Sequence, residues 1–270
     1  MTPGRLTRTA LTAGAALLPT LAALHGAPVI STFGPLRNRA MPRLAGQGRP
    51  DHIALTFDDG PDPLSTPHFL RALEARGIRA TFFLLGSMLV RNFGLAQEMA
   101  AAGHEIGIHG WHHRPLLLRG PRATYDDLAR SRDLVAQVTG EPPRLFRPPY
   151  GVMTTSAHLV CRRLGLTPVL WTAWGEDWRS RATPRSVHDT VTRDLRGGGT
   201  ILLHDSDCTS APGSWRTTLA ALPRILDTCA AHDWHTGPLR DHGTPRVSQD
   251  DPAVAVRNRR LVGRAGTPAA

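Results

Sequence analysis

The amino-acid sequence predicts an α/β fold built on one parallel sheet, either open or closed into a barrel. Three observations carry this expectation. Seven short apolar or β-branched runs alternate with amphipathic helical patterns along the chain, and runs of that kind read as strands buried on both faces. Alternation of strand and helix implies right-handed crossovers within a parallel sheet. The polar residues that stand out gather at the C-terminal ends of the runs, which in a barrel is the face that carries chemistry. With 270 residues, 41% of them hydrophobic, the chain can bury one large core, and it shows no internal repeat.

Taken in order, strands are expected at Ile53–Phe57, Ala80–Leu85, Glu105–His109, Leu145–Arg147, Pro168–Thr172, Thr200–His204 and Trp234–Gly237. Helices are expected at Pro67–Arg76, Met88–Ala102, Tyr125–Val138, Ser156–Leu164, Pro184–Leu195 and Trp215–His232, several opened by Ser or Thr and closed by Gly. The first strand runs into Asp58-Asp59-Gly60-Pro61, the third into His109, and the fourth into Arg147-Pro-Pro-Tyr150-Gly151. The fifth leads through Trp174-Gly-Glu to Asp177-Trp178, and the sixth ends in His204-Asp205.

Each piece alone is ordinary. Asp-Asp before Gly-Pro is a common strand-end turn, and a chain with 13 His has histidine pairs by chance. Their coincidence on one face is not ordinary. His109 and His113, four residues apart, and one aspartate of the Asp58-Asp59 pair make a donor set known for catalytic zinc. The second aspartate is then left over as a base, because neighbouring carboxylates repel. His112 offers an alternative partner for His109, since a loop can present either spacing. An amine leaves an acetamide only when protonated, so hydrolysis also needs an acid, and His204 is titratable near neutrality.

The five segments, in this order, resemble the five motifs of the polysaccharide deacetylases, the NodB-like domain or carbohydrate esterase family 4. The resemblance spans about residues 51–242, and Thr56-Phe57-Asp58-Asp59-Gly60-Pro61 is its most specific part. It implies a distorted (β/α) barrel of seven or eight strands in a single catalytic domain. It also implies Asp58 as catalytic base, with Asp59, His109 and His113 as metal ligands. Arg147 would pair with Asp58 and hold it ionised, and Asp177 would orient either that arginine or the acid His204. The Tyr150 N–H would stabilise the oxyanion, while Trp178 and Leu202 would wall the groove. The expected cofactor is a divalent metal, zinc first, with cobalt or another divalent ion as substitutes. The reaction implied is removal of N-acetyl groups from amino sugars in a chitin-like or peptidoglycan polymer. An O-acetyl esterase on xylan or another glycan and a non-catalytic carbohydrate-binding relative are the alternatives. Two positions depart from the family's pattern: Gly110 stands where Ser or Thr is usual, and Trp174 where Asp is usual.

Charge adds bounds on partners. The formal net charge of +10 comes from arginine alone and is concentrated in residues 1–50 and 243–270, leaving a nearly neutral middle. That argues against nucleic acid in the groove, and the basic ends suit an anionic membrane or cell-wall surface. A monomer is expected. Arg5 and Arg8 before the apolar stretch from Ala10 to Leu24 have the layout of a secretory signal. Residues 1–27 are therefore expected as signal peptide or membrane anchor, 28–50 as an Arg-rich linker, 51–242 as the catalytic domain, and 243–270 as a disordered basic tail. An extracytoplasmic location follows from the signal. Cys161, Cys208 and Cys229 allow one disulfide, Cys208 to Cys229, or three free thiols.

Overall fold

The computed structural model describes residues 22–243. Residues 1–21, with most of the expected export segment, and 244–270, the expected tail, lie outside the described residues. No helix among the described residues is long and apolar enough to cross a membrane.

Strand β1 (His52–Asp58) is the axis of the sheet and is buried along its whole length. Its alternation sorts side chains to two faces. Ile53, Leu55 and Phe57 enter the main core with Phe69 and Leu73 of helix α2 (Thr66–Glu74). Ala54 belongs instead to a small second cluster with Phe83, Val169 and Leu239. Each large side chain so buried contributes about 1.5–3 kcal/mol over leaving it exposed. β1 pairs in parallel with β2 (Thr81–Leu84) on one side and β7 (Thr200–His204) on the other. Outward from β2 follow β3 (Glu105–Ile108), β4 (Leu145–Phe146) and β5 (Thr167–Pro168), and outward from β7 lies β6 (Ala173–Trp174). β8 (His235–Gly237) pairs with the first residues of β1. The sheet is thus an eight-stranded, curled and distorted (β/α) barrel in one domain, all strands parallel.

Two expected elements are divided. The run Pro168–Thr172 is not one strand, because it spans the gap between the two edges of the sheet. β5 pairs with β4, the Leu170 N–H donates to Leu44 O, and Thr172 N–H to Thr200 O before β6 joins β7. The expected helix Met88–Ala102 is two, α3 (Gly86–Leu89) and α4 (Phe93–Ala101). The break falls at Asn92, whose side-chain amide donates to Met88 O and Pro61 O, ending one helix and tying it to the first motif. The remaining helices, α5 (Pro121–Thr139), α6 (Thr155–Leu164), α7 (Pro184–Asp194) and α8 (Ser214–Ala231), fall where their periodicity placed them. α6 and α7 are capped by Thr154 and by a Thr183/Ser186 capping box.

Residues 28–50, expected as a linker, are ordered against the barrel. They form helix α1 (Gly34–Ala40), and Arg37, Leu44 and Ala45 are buried. The Thr200 hydroxyl donates to Gly46 O, and Arg37 donates to Trp171 O. The reason is geometric: the closing run lacks a strand neighbour at Leu170 and Trp171, and this segment supplies the missing partners. The three cysteines are free thiols, Cys229 buried and Cys208 exposed, so the Cys208–Cys229 disulfide does not form.

His242 closes the other end. Its Nε2–H donates to Gly46 O and Gly198 O, so its Nδ1 accepts from His52 Nδ1–H at 2.8 Å. Burial, and then the neighbouring His52, push the His242 pKa down to about 4. Unfolding frees a histidine that binds a proton near 6.5, so this stabilisation is present above that pH and is lost as pH falls toward 4. Thermal melts between pH 8 and 4 should show it, with a loss of up to about 3 kcal/mol from this group. His242→Gln is expected to flatten the slope, and an unchanged slope would place the acid sensitivity elsewhere.

Candidate active site

Arg147 crosses the barrel interior and is fully buried, which a guanidinium tolerates only when its donors are met. They are met by residues of two walls. Nη1 donates to Asp58 Oδ1 at 2.8 Å and to Thr56 Oγ1 at 2.7 Å, both on the inward face of β1. Nε and Nη2 donate to Val169 O and Leu170 O of the closing run, at 3.3 and 2.8 Å. The guanidinium also lies over the Phe83 ring, 4.1 Å from its centroid.

Asp58 is therefore held by one oxygen, and its other oxygen is 3.6 Å from His109 Nε2. Burial raises the Asp58 pKa above the ordinary carboxylate range although Arg147 pulls against it. Arg147 pairs with Asp58 as expected, and its charge and hydrogen bond favour the ionised carboxylate against the desolvation that opposes it.

Asp59 faces a different set of groups. Its backbone is left-handed at φ 82, which turns the side chain away from the arginine. The Thr209 hydroxyl donates to Oδ2. Oδ1 is buried with no hydrogen-bond partner and lies 3.7 Å from His109 Nε2 and 3.8 Å from His113 Nε2. Ligand atoms of Asp59, His109 and His113 all lie within 4.8 Å of one another. His109 Nδ1–H donates to Arg147 O at 2.7 Å, which leaves Nε2 as the lone-pair nitrogen facing the aspartates. An orphaned carboxylate oxygen and an oriented imidazole fit a divalent cation. Burial pushes the His109 and His113 pKa values down to about 3, so both rings are neutral at physiological pH. His112 is exposed and packs edge-on against Trp111, so it is not part of this group.

His204 is the register partner of Asp58 across β1 and β7. Of the two expected partners, Asp177 contacts His204: its Oδ1 accepts from His204 Nδ1–H at 2.9 Å, and its Oδ2 accepts from His204 N–H and from Thr218 Oγ1–H. Burial alone would lower the His204 pKa. The charge and hydrogen bond of Asp177, with Asp59 and Asp58 beyond, overcome it and push the value up to about 10.

A cleft of about 240 Å³ opens over these groups, lined by Asp58, His109, His113 and His204 and walled by Tyr150, Trp178 and Leu202. Tyr150 has a left-handed backbone at φ 60, and its ring stands 4.5 Å from that of His113. Neither departure from the family's pattern dismantles the site. Gly110 adopts φ 85, a conformation that favours glycine. Its loop is held by Asp127, which accepts from Trp111 N–H, and by N–H bonds of Gly86 and Ser87 to Gly110 O and Trp111 O. Trp174 joins Trp171 and Trp178 in an aromatic wall, with ring centroids 5.8 and 5.0 Å away. Sequence reasoning missed Asp127, Thr209 and Thr218, because nothing in a short motif marks a hydroxyl or carboxylate that arrives from a distant element, and it gave no role to Thr56, which lies inside the first motif and accepts from Arg147.

The polysaccharide deacetylase family model matches residues 45–169. The chain is 36% identical over 170 residues to the peptidoglycan-N-acetylglucosamine deacetylase of Listeria monocytogenes, covering 63% of this chain and 35% of that protein. It thus spans about a third of that relative's length. It is 33% identical over 201 residues to the chitooligosaccharide deacetylase of Sinorhizobium fredii, covering 72% of this chain and 91% of that protein. Among solved structures, the family 4 carbohydrate esterase of Streptomyces lividans in complex with acetate superposes with a TM-score of 0.62 at 34% identity, over 69% of this chain and 92% of that one.

The candidate ligand trio of Asp59, His109 and His113 has a pH signature of its own. Burial pushes the Asp59 pKa up to about 6, against His204 and the Thr209 hydroxyl, which lower it. Below that pH a proton competes with a cation for the carboxylate, while both histidines stay neutral. Metal affinity, read by competition titration, is expected to fall as pH drops below about 6. Thr209→Val should weaken binding more at pH 6 than at pH 8. An affinity that is flat from pH 8 to 5 would contradict the assignment of Asp59.

Proposed function

The chain belongs to the polysaccharide deacetylase family, and we propose that it hydrolyses N-acetyl groups on amino sugars of a polysaccharide, releasing acetate. The observation that supports this best is the placing of a base and an acid. Asp58 and His204 sit opposite one another on adjacent strands and face one cleft. The ligand trio lies beside them.

Asp59, His109 and His113 would hold the metal, and their nitrogen and oxygen donors favour zinc, with cobalt or another divalent ion as substitutes. When bound, the ion would polarise the acetyl carbonyl and lower the pKa of water. Asp58, held by Arg147, takes the proton of the attacking water. The Tyr150 N–H donates to the carbonyl oxygen as it gains charge. His204, kept protonated by Asp177, delivers a proton to the leaving nitrogen. Trp178 and Leu202 wall the sugar, since aromatic and aliphatic faces suit its C–H surfaces.

Amide is preferred to ester in this reading. An acid held protonated up to about 10 is of most use to a poor leaving group. The complete set of ligands, base and acid weighs against a non-catalytic relative. Nothing among the lining residues of the cleft forms a basic stripe for nucleic acid. Peptidoglycan, named in the Listeria relative's description, is a cell-wall polymer, which supports an extracytoplasmic place of action at the cell wall or membrane surface.

Acetate release from N-acetylglucosamine oligomers is expected, lost on exhaustive chelation and restored by zinc. His204→Ala should lose about 10²–10⁴-fold on the acetamide but far less on an activated acetate ester. Because the His204 pKa is raised, its acid role is present at neutral pH and lost only as pH rises through the high value. The alkaline limb of kcat/KM should therefore lie well above pH 6.5, and Asp177→Asn should move it down. Equal losses on amide and ester would remove His204 from the acid role.

A further inference from the structure

A second cavity of about 550 Å³ adjoins the catalytic cleft and shares Tyr150, Trp171 and Trp174 with it. Its volume is that of a small-molecule site. Its far wall comes from residues 32–38, which lie outside the stretch matched by the family model. Helix α1 brings Arg37 and Asn38 to this wall, and the end of α7 and the residues after it bring Asp194 and Arg196.

The wall is chemically incomplete. Arg37 is 4% exposed, and its Nη1 and Nη2 donate to Ser31 O and Trp171 O, both neutral carbonyls. Its buried Nε–H has no hydrogen-bond partner, and no carboxylate among the described residues lies within ion-pairing distance of it. Burial, with the neighbouring Arg147, pulls its pKa down to about 10, as for a cation without a compensating anion. Asn38 Oδ1 is likewise buried without a donor. Asp194 is engaged by Arg193 at 3.1 Å, and Arg196, exposed to solvent, donates among the described residues to the carbonyls of Arg193 and Leu195. The cavity therefore combines a buried arginine that has no carboxylate partner among the described residues, a solvent-exposed arginine, and an aromatic floor of stacked Trp171 and Trp174.

We propose that this cavity is a glycan subsite that seats a sugar residue neighbouring the one deacetylated and takes a carboxylate carried by that residue, through Arg37 and Arg196. The inference rests on the deacetylase reading for the glycan's identity, and on the cavity alone for the charge. A ring on the tryptophans places an acidic substituent toward the arginines. A charge-assisted hydrogen bond is about twice as strong as a neutral one, so the subsite favours an acidic amino-sugar polymer over neutral chitin.

The test uses the full chain, with metal, and an oligosaccharide alternating N-acetylglucosamine and N-acetylmuramic acid, with its carboxyls free or amidated. Binding is read by tryptophan fluorescence and calorimetry, beside a neutral chitin oligomer of equal length. The free acid is expected to bind about tenfold tighter than its amide, the range of one hydrogen bond to a charged group. Arg196→Gln and Arg37→Gln should each erase that difference while leaving affinity for the chitin oligomer in place. Should Arg37→Gln fail to fold, the wild-type comparison and Arg196→Gln still decide. Equal binding of acid and amide, binding of neither, or a preference unchanged in Arg196→Gln overturns the subsite. Acetate release is scored separately: release without charge preference leaves the catalytic reading standing, and charge preference without release leaves only the subsite.

Discussion

The structure depends on how a buried guanidinium is kept. Arg147 brings a full positive charge into the barrel, where removing one partner of an ion pair costs about 3–5 kcal/mol because the other is left uncompensated. Its acceptors are drawn from β1 and from the run that closes the sheet, at 2.7–3.3 Å. The same residue therefore joins the two walls and fixes the Asp58 carboxylate. Its own carbonyl sets the tautomer of His109. Wall, proposed base and proposed ligand are positioned by one side chain and its peptide.

From that follows the division between two adjacent aspartates. Asp58 continues the strand, so its side chain points into the barrel toward the arginine. Asp59 leaves the strand with a left-handed backbone and meets the histidines instead. Both are deeply buried, which raises both carboxylates. A second pairing, Asp177 with His204, uses the same low-dielectric surroundings to the opposite end, keeping a cation protonated. Like groups with separated environments give distinct acid and base roles.

Much of this was legible in the sequence, for reasons that lie in particular residues. β1 and β7 are continuous apolar runs with a polar residue at the end, so Asp58 and His204 could be placed at strand termini before any coordinates. The short motifs carried the candidate ligands because His109 and His113 come from one stretch of chain. What stayed hidden came from elsewhere in the chain: Asp127, Thr209 and Thr218 reach their partners across 16, 150 and 41 positions. The arginines of residues 28–50 suggested a solvated linker, yet Arg37 is buried against Trp171. Composition cannot distinguish a charge bound to carbonyls from one in water. The run Pro168–Thr172 misled for a related reason, since apolar content reports burial and not which edge a residue pairs with.

The central claim is that the arginine commits Asp58 to proton transfer and leaves Asp59 to the metal. Metal content and acetate release measured together on Asp58→Asn and Asp59→Asn test it most directly. Asp58→Asn is expected to keep stoichiometric metal while turnover falls about 10²–10⁴-fold, the usual range for loss of a general base, and Asp59→Asn to lose metal and turnover together. Equal metal loss in the two variants, or metal lost from Asp58→Asn alone, would contradict the account.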